Sequence, residues 1–537
     1  MLSLAFIGLL VFLGYSFIYR PLYANSLYRR GYEQIENDRY TMANESFQTA
    51  VDVWAVKNWF YRYAEAFTDK KQFLAASEKY NELLAHYPGD HKGILDYAHL
   101  ESRYLSNYEK ADRLLDRLLD KNIQDYDALL AKGDNYLEWA EEDPAHFEDA
   151  RFSYASILDY HGREDEVLFR MLKYFIRTDQ LGEVQKLKSL IEAEKIDVRP
   201  QVYAELGGYL FDKKEVDDVP DTLFKAMEVE REIPEIHYHL ARYFRYAGDP
   251  VEEVKAIRST INYLEASAPL NKKRMEIMID SYNRFGESLW RNKEYLDAED
   301  KYQKAKNMIE VAQDRRIFGK KKEFGKVYEN LGDIYYHIDR NLETSLDLYR
   351  KAEENFYNSH DLDYKIGYIA YMYSRYEEAL LRFSRVIDDV SANENTIFSL
   401  ANTLYQRDDY FSAQGYYLHL LDILETKRNN IPFLRIQENP EHRAIIEYIL
   451  KTYNNLGVTL KKLSDRTGDK EKNSKALVNL TFSSENFDIL ARDPETLSRG
   501  LTKNLAFLNQ RGILYPASDF ELQIYKRIPK DLKVRRF

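Results

Sequence analysis

The chain contains no cysteine. Disulfide bonds, thiolate catalysis and cysteine-ligated metal sites are therefore excluded. An extracytoplasmic protein that avoids mispairing in an oxidising compartment has this composition, and other proteins can share it. Glycine and proline are scarce, at 21 and 13 of 537 residues, which excludes collagen-like and Gly/Pro-rich disordered chains. A basic excess is also missing, with 77 Lys and Arg against 89 Asp and Glu and a net charge of −12. A nucleic-acid binder would show a basic balance or a basic face, so that partner class is set aside. The sequence has no phosphate loop, no G-x-G-x-x-G and no H-E-x-x-H. Its nearest metal-like pair, His237 and His239, stands two apart in a helical pattern and so points to different faces.

What is abundant is tyrosine, with 45 residues beside 27 Phe and only 4 Trp. So many aromatics argue against disorder and for large knobs between packed helices. The chain exceeds what one ordinary globular core needs, a limit that an array of repeats escapes because each packs only on its neighbours.

One long apolar run is present, from Leu2 to Ile18, with Ser3, Tyr15 and Ser16 as its polar interruptions. At 1.5 Å per residue it reaches roughly 26 Å, near the ~30 Å hydrocarbon core once Tyr19 and Tyr23 sit at the interface. A cleaved signal peptide would need a basic start and small residues before the cut. Met1–Ala5 has no Lys or Arg, and Leu22 occupies the small-residue position before Ala24, so an uncleaved anchor is expected. Arg20 and Pro21 end the apolar run. The following Arg20, Arg29 and Arg30 would by the positive-inside rule keep the rest in the cytoplasm. The signal-like position and the missing cysteines point the other way. The expectation is a single-pass inner-membrane protein with its array in the periplasm.

Beyond the run, four residue types recur at one spacing. Gly31 is followed by Ala43, Phe47 and Ala50, which lie 12, 16 and 19 positions on. The set returns at Gly286, Ala298, Tyr302 and Ala305, at Gly367, Ala379, Phe383 and Val386, and at Ala401, Ala413, Tyr417 and Leu420. A repeat of about 34 residues marks stacked helical hairpins. The spacing places the first small residue where helices A and B cross, and the aromatic against the next hairpin. Glycine inside a helix costs about 1 kcal/mol against alanine, so its repeated use implies close packing.

These features resemble the tetratricopeptide repeat family. Tyr282, Phe285, Gly286 and Leu289 match its first-helix pattern, as do Tyr328, Leu331, Gly332 and Tyr335. Pro88 stands at an expected unit end, and an aromatic precedes helix B at Tyr40, Phe73, Tyr295, Tyr376 and Tyr410. About twelve units are expected, with helix A small or apolar residues at Gly31, Ala64, Ala98, Gly133, Leu172, Gly207, Ala241, Gly286, Gly332, Gly367, Ala401 and Gly457. The unit at Gly133 carries an insertion at Asp143–Pro144. Those at Leu172 and Ala241 offer Val184 and Glu253 in place of the small helix B residue, and the last has a polar insertion over Ser464–Asn473.

The resemblance implies an all-α, right-handed superhelical solenoid whose groove, lined by helix A, binds peptides or helices of partner proteins. The family's carboxylate clamp is poorly matched, since Asn283, Glu287, Asp361 and Lys365 depart from it and Asn330 alone fits. The expected layout is an anchor at 1–20, a first array at 24–312, a second block at 313–425, a last unit at 426–490 and a capping hairpin with basic tail at 491–537. Longer joints are expected at Asp314–Phe324 and Thr426–Arg443, either as hinges or as extended helices with ordinary turns.

Acidic pairs such as Glu252–Glu253 are read as solvated. A basic patch of Arg315, Arg316, Lys320, Lys321, Lys322 and Lys326, with Asn330 beside it, is the candidate partner-binding surface, a solvated linker being its ordinary reading. No segment outside the repeats has room for a catalytic domain, so no enzyme activity and no cofactor are expected. A tethered, Tyr-rich, Cys-free array is similar in layout to the periplasmic collar proteins of spirochaete flagellar motors, which implies envelope or motor proteins as partners. A tethered adaptor that transiently captures peptide or exported clients is the alternative.

Overall fold

In the computed structural model, residues 12–267, 270–387, 394–486 and 509–510 are described. Every regular element among them is helical. The chain divides into two compact units, Met1–Asp249 and Pro250–Phe537. The joint expected at 312/313 thus falls inside the second unit.

The first unit contains α1 (Arg20–Glu36), α2 (Tyr40–Val53), α3 (Lys57–Asp69), α4 (Phe73–His86), α5 (His91–Arg103), α6 (Tyr108–Leu119), α7 (Tyr126–Trp139), α8 (His146–His161), α9 (Asp165–Arg177), α10 (Leu181–Ala193), α11 (Pro200–Asp212), α12 (Val219–Val229) and α13 (Pro234–Ala247). The second contains α14 (Pro250–Ala266), α15 (Lys272–Arg291), α16 (Tyr295–Asp314), α17 (Lys322–Asp333), α18 (Leu342–Glu354), α19 (His360–Met372), α20 (Tyr376–Ile387), α21 (Glu394–Gln406), α22 (Tyr410–Asn429), α23 (Pro440–Thr467) and α24 (Lys470–Asn486). Antiparallel pairs such as α1/α2 and α15/α16 form hairpins. Within each unit, first helices, A, also pack on the A helix of the next hairpin, as α5 does on α7 and α15 on α17.

All twelve small or apolar positions fall in A helices and are buried. Their role differs in one respect from the sequence reading. A Cβ on Gly286 would lie 2.4 Å from the Tyr302 ring, one on Gly332 2.6 Å from Tyr349, and one on Gly367 2.9 Å from Phe383. The helix B aromatic therefore lies over the glycine of its own hairpin, as well as meeting the next. The missing side chain is the ring's seat.

The A-to-B turn has a fixed device. Seven residues after the small position the backbone takes a left-handed conformation, at Asp38, Lys71, Asp179, Lys214, Lys293, Ser374 and Asp408. That conformation costs an L-residue about 1–2 kcal/mol. Replacing Lys293 (φ 65) with glycine is expected to raise stability by about 0.5–1 kcal/mol, read as a shift of the urea midpoint of the second unit. No gain would mean that the lysine side chain compensates the strain.

The unit at Gly332 is one residue longer, with its left-handed residue at Arg340 and its ring at Tyr349. A π-helical stretch, Ile334–Asp339, absorbs the extra residue without disturbing the hairpin. The helices before the two long joints are extended, but most residues of each joint are a non-helical connection, 315–321 and 430–439. α16 runs to Asp314 and α22 to Asn429, and the connections lead on to Lys322 and Pro440. The insertion expected at Ser464–Asn473 is the end of α23 and the start of α24, turned at Gly468.

Pro21, which follows the apolar run, lies inside the first helix. Helical backbone runs from Phe12 through a π-helical stretch, Tyr15–Tyr19, into α1. Proline lacks an N–H and crowds the carbonyl four residues before it, and the wider π turn relieves both. Among the described residues no helix is long and apolar enough to cross a membrane. Most of the apolar run, Leu2–Val11, lies outside them, as does most of the expected capping hairpin and all of the basic tail.

The stacked A-helix face

The A helices meet through polar side chains as well as apolar ones. In the first unit Arg170 of α9 reaches Asp134 of α7 at 3.1 Å. Lys173 pairs with Glu138 at 2.8 Å. Arg177 bridges three helices, donating to Glu138 at 3.2 Å and the Leu137 carbonyl at 3.1 Å on α7, and to Glu205 on α11 at 3.1 Å. Arg242 of α13 continues the ladder to Asp212 of α11.

Burial acts to raise the Glu138 carboxyl, but Lys173 and Arg177 outweigh it and hold the group down from 4.5 to about 2. Because the folded value is lowered, this contribution is present above pH about 4.5 and lost as the pH falls toward 2. The side chain keeps 38% of its surface in water, which screens the effect to about 1 kcal/mol. Acid unfolding of the first unit, followed by hydrogen exchange of α7 and α9, is expected to begin in that window. Glu138→Gln is expected to flatten the dependence, and an unchanged acid limb would disprove the assignment.

In the second unit most of the ladder is buried. Asn330 of α17 donates to Asn283 at 2.9 Å and Glu287 at 3.1 Å on α15. Lys365 of α19 reaches Asp333 at 2.6 Å and Glu329 at 3.4 Å on α17, and Asp361 at 2.7 Å on its own helix. Burial works against the Lys365 charge, yet the facing carboxylates raise its pKa. Asn455 of α23 donates to Asn402 of α21 at 2.8 Å, and Asn509 donates to Asn454 at 3.0 Å. Buried polar groups need partners, and here each supplies the other's across a helix–helix seam.

The same carboxylates serve the tyrosines. Tyr154 donates to Asp134 at 2.8 Å and Tyr349 to Asp333 at 2.7 Å. Tyr417 donates to Asn402. Each acceptor directly follows the small helix A residue, a signal present in the sequence as Gly133–Asp134, Gly332–Asp333 and Ala401–Asn402.

The seven residues expected to form one partner-binding patch are divided by the structure. Arg315, Arg316, Lys320 and Lys322 are exposed on or beside the α16–α17 connection. Phe318 is buried there and meets Phe324 edge to face. Lys321 lies over both rings and pairs with Glu276, while Lys320 reaches Glu354 at 3.5 Å. Lys326 turns to Glu329 at 2.6 Å. Asn330 is buried, so it is a joint of the ladder rather than part of an open patch.

Glu253, read as solvated, is also buried, where it binds Arg291 at 2.9 Å. His237 gives its ring to the Arg231 carbonyl at 2.7 Å, and His239 packs against Gly208. No cluster of three metal-type ligands occurs among the described residues.

The repeat spacing, the ring-on-glycine hairpins and the stacked A helices form an array of helical hairpins like that of tetratricopeptide repeat proteins. Solved structures of that kind are similar to it. They include Pseudomonas aeruginosa PilF (19% identity over 42% of this chain and 91% of that one, TM-score 0.33). A tetratricopeptide repeat protein from Parabacteroides merdae matches at 13% identity over 48% and 99%, with TM-score 0.39. Yeast Tom70 matches at 15% over 80% and 95%, with TM-score 0.31. At these scores the likenesses carry no argument about function, and the assignment rests on the chain's own repeats. No protein-family model and no curated protein sequence matches.

Proposed function

We propose that this chain is a membrane-tethered, non-catalytic scaffold that binds and organises other proteins of an envelope assembly. The observation that carries the reading is the continuous stacking of A helices within each unit, which offers an extended protein-binding face rather than an enclosed site. The apolar run Leu2–Ile18 supplies the tether. The layout of anchor and long Tyr-rich, Cys-free array extends the proposal to the periplasmic collar of a flagellar motor.

Protease protection in intact cells stripped of any outer membrane, with a tag after Phe537, tests the placement. Digestion of the array without lysis supports the envelope scaffold. Full protection until lysis would overturn the periplasmic placement and favour the adaptor. Co-purification with a large complex in a fixed ratio separates a scaffold from an adaptor, whose clients exchange.

A further inference from the structure

The surface of the first helix changes character within a few residues. From Phe12 to Tyr23 the exposed side chains are apolar or tyrosine. Phe12, Phe17, Ile18 and Leu22, on successive turns, are 62 to 65% exposed. Tyr15, Tyr19 and Tyr23 form a stacked row, with ring centroids 5.6 and 5.9 Å apart, and are exposed as well. From Ala24 onward the burial is one-sided. Ala24, Tyr28, Gly31 and Ile35 are buried against the array, while Ser26, Arg29 and Arg30 face outward.

Arg20 is the one charged residue in the sequence from Phe12 to Tyr23. Its guanidinium donates to the Val53 carbonyl at 2.7 Å, which ties the end of α2 to the base of this helix. A shallow cleft of about 470 Å³ lies there, lined by Tyr15, Tyr19, Arg20, Tyr23, Asp52 and Val53.

We infer that the boundary between bilayer and water lies along the Tyr15–Tyr19–Tyr23 row, and that the first hairpin stands directly on the lipid surface with no linker. The inference rests on the tether reading and adds to it the place and rigidity of the junction. A protein groove would cover one side of a helix, whereas apolar side chains exposed on successive turns fit hydrocarbon. Tyrosine combines an apolar ring with a hydroxyl that seeks water, which suits the headgroup level. The unbroken helical backbone through Tyr19, Arg20 and Pro21 leaves no flexible joint between that level and the first repeat.

The missing cysteines make the test clean, because one introduced cysteine is the only labelling site. Nitroxides are placed singly at Phe12, Ile18, Tyr19, Leu22, Ser26 and Arg30 of the full chain, reconstituted into phosphatidylethanolamine–phosphatidylglycerol vesicles. The expected result is high oxygen and low polar-relaxant accessibility at 12 and 18, intermediate values at 19 and 22, and aqueous values at 26 and 30. Label mobility is expected to keep a helical period throughout.

A chain that does not float with the vesicles overturns the tether reading, and this inference with it. Flotation with aqueous values at 18 and 22 keeps the tether but overturns the placement. Fast isotropic motion at any site from 19 to 26 overturns the rigid mounting. Protection from both relaxants without lipid, with dipolar broadening between copies, would make this face a contact between chains and overturn the lipid assignment.

Discussion

Lys365→Met is expected to destabilise the second unit by about 3–5 kcal/mol. The lysine is buried between Asp333 and Glu329 of the preceding A helix and Asp361 of its own. Methionine keeps most of the volume but leaves Glu329, itself buried, with fewer compensating charges. A buried pair adds little over a well-packed apolar pair, yet breaking it from one side leaves an uncompensated charge. Lys326 still faces Glu329 and Tyr349 still donates to Asp333, so the loss is not total.

Two controls separate this cause from lost packing. Asp361→Asn removes a half-exposed carboxylate and is expected to cost under about 1 kcal/mol. In Lys365→Met, acidification is expected to recover part of the stability. Glu329 has its pKa lowered in the intact protein, where the Lys365 and Lys326 charges outweigh burial. Without Lys365 the group protonates at higher pH, and protonation then removes the unpaired charge. A loss that does not respond to pH would mean that packing, not charge, dominates.

The second large effect lies in the first unit. Phe47→Ala is expected to cost about 3–5 kcal/mol. Phe47 is fully buried, with Tyr63, Phe60 and Tyr28 at ring-centroid distances of 4.5, 5.1 and 5.5 Å. Lys79, also buried, places its ammonium 4.4 Å from the ring centroid. Phe47 belongs to α2, while Phe60 and Tyr63 belong to α3, so the cavity would open between consecutive hairpins. Hydrogen exchange is the suitable readout, because a repeat array loses stability locally. Protection is expected to fall in α1 to α4 and to persist in α11 and α12. A uniform loss across the first unit would show that its repeats unfold together.

These sites also show what the sequence carried. Gly31, Gly286, Gly332 and Gly367 stood out because glycine is costly in a helix, and each supplies the space its pattern implied. The position of the helix B rings over Gly286, Gly332 and Gly367 is less visible in the sequence. An i, i+16 spacing places two helices together but does not say which side of the ring each occupies.

The ladder is legible in the sequence only in fragments. Asn330 was noticed for its resemblance to a clamp residue, and its partners Asn283 and Glu287 stand 47 and 43 positions away. Whether Glu253 is solvated depends on Arg291, 38 residues on, across a connection of no fixed length. Burial of a polar side chain is decided by such a partner, and local patterning does not encode it. Arg315 and Arg316 are legible as exposed charge, whereas Lys321 and Lys326 turn toward Glu276 and Glu329.

The scaffold reading is tested most directly by asking which face touches other proteins in the cell. Photo-crosslinking residues at Tyr32 of α1 and Glu65 of α3 occupy the position after the small helix A residue; Glu78 of α4 and Arg113 of α6 are exposed on helix B. Adducts of defined size from positions 32 and 65, and none from 78 and 113, are the predicted result. Adducts confined to the helix B positions would contradict an A-helix binding face. An absence of adducts at all four, in cells where the chain is intact and assembled, would contradict the scaffold itself.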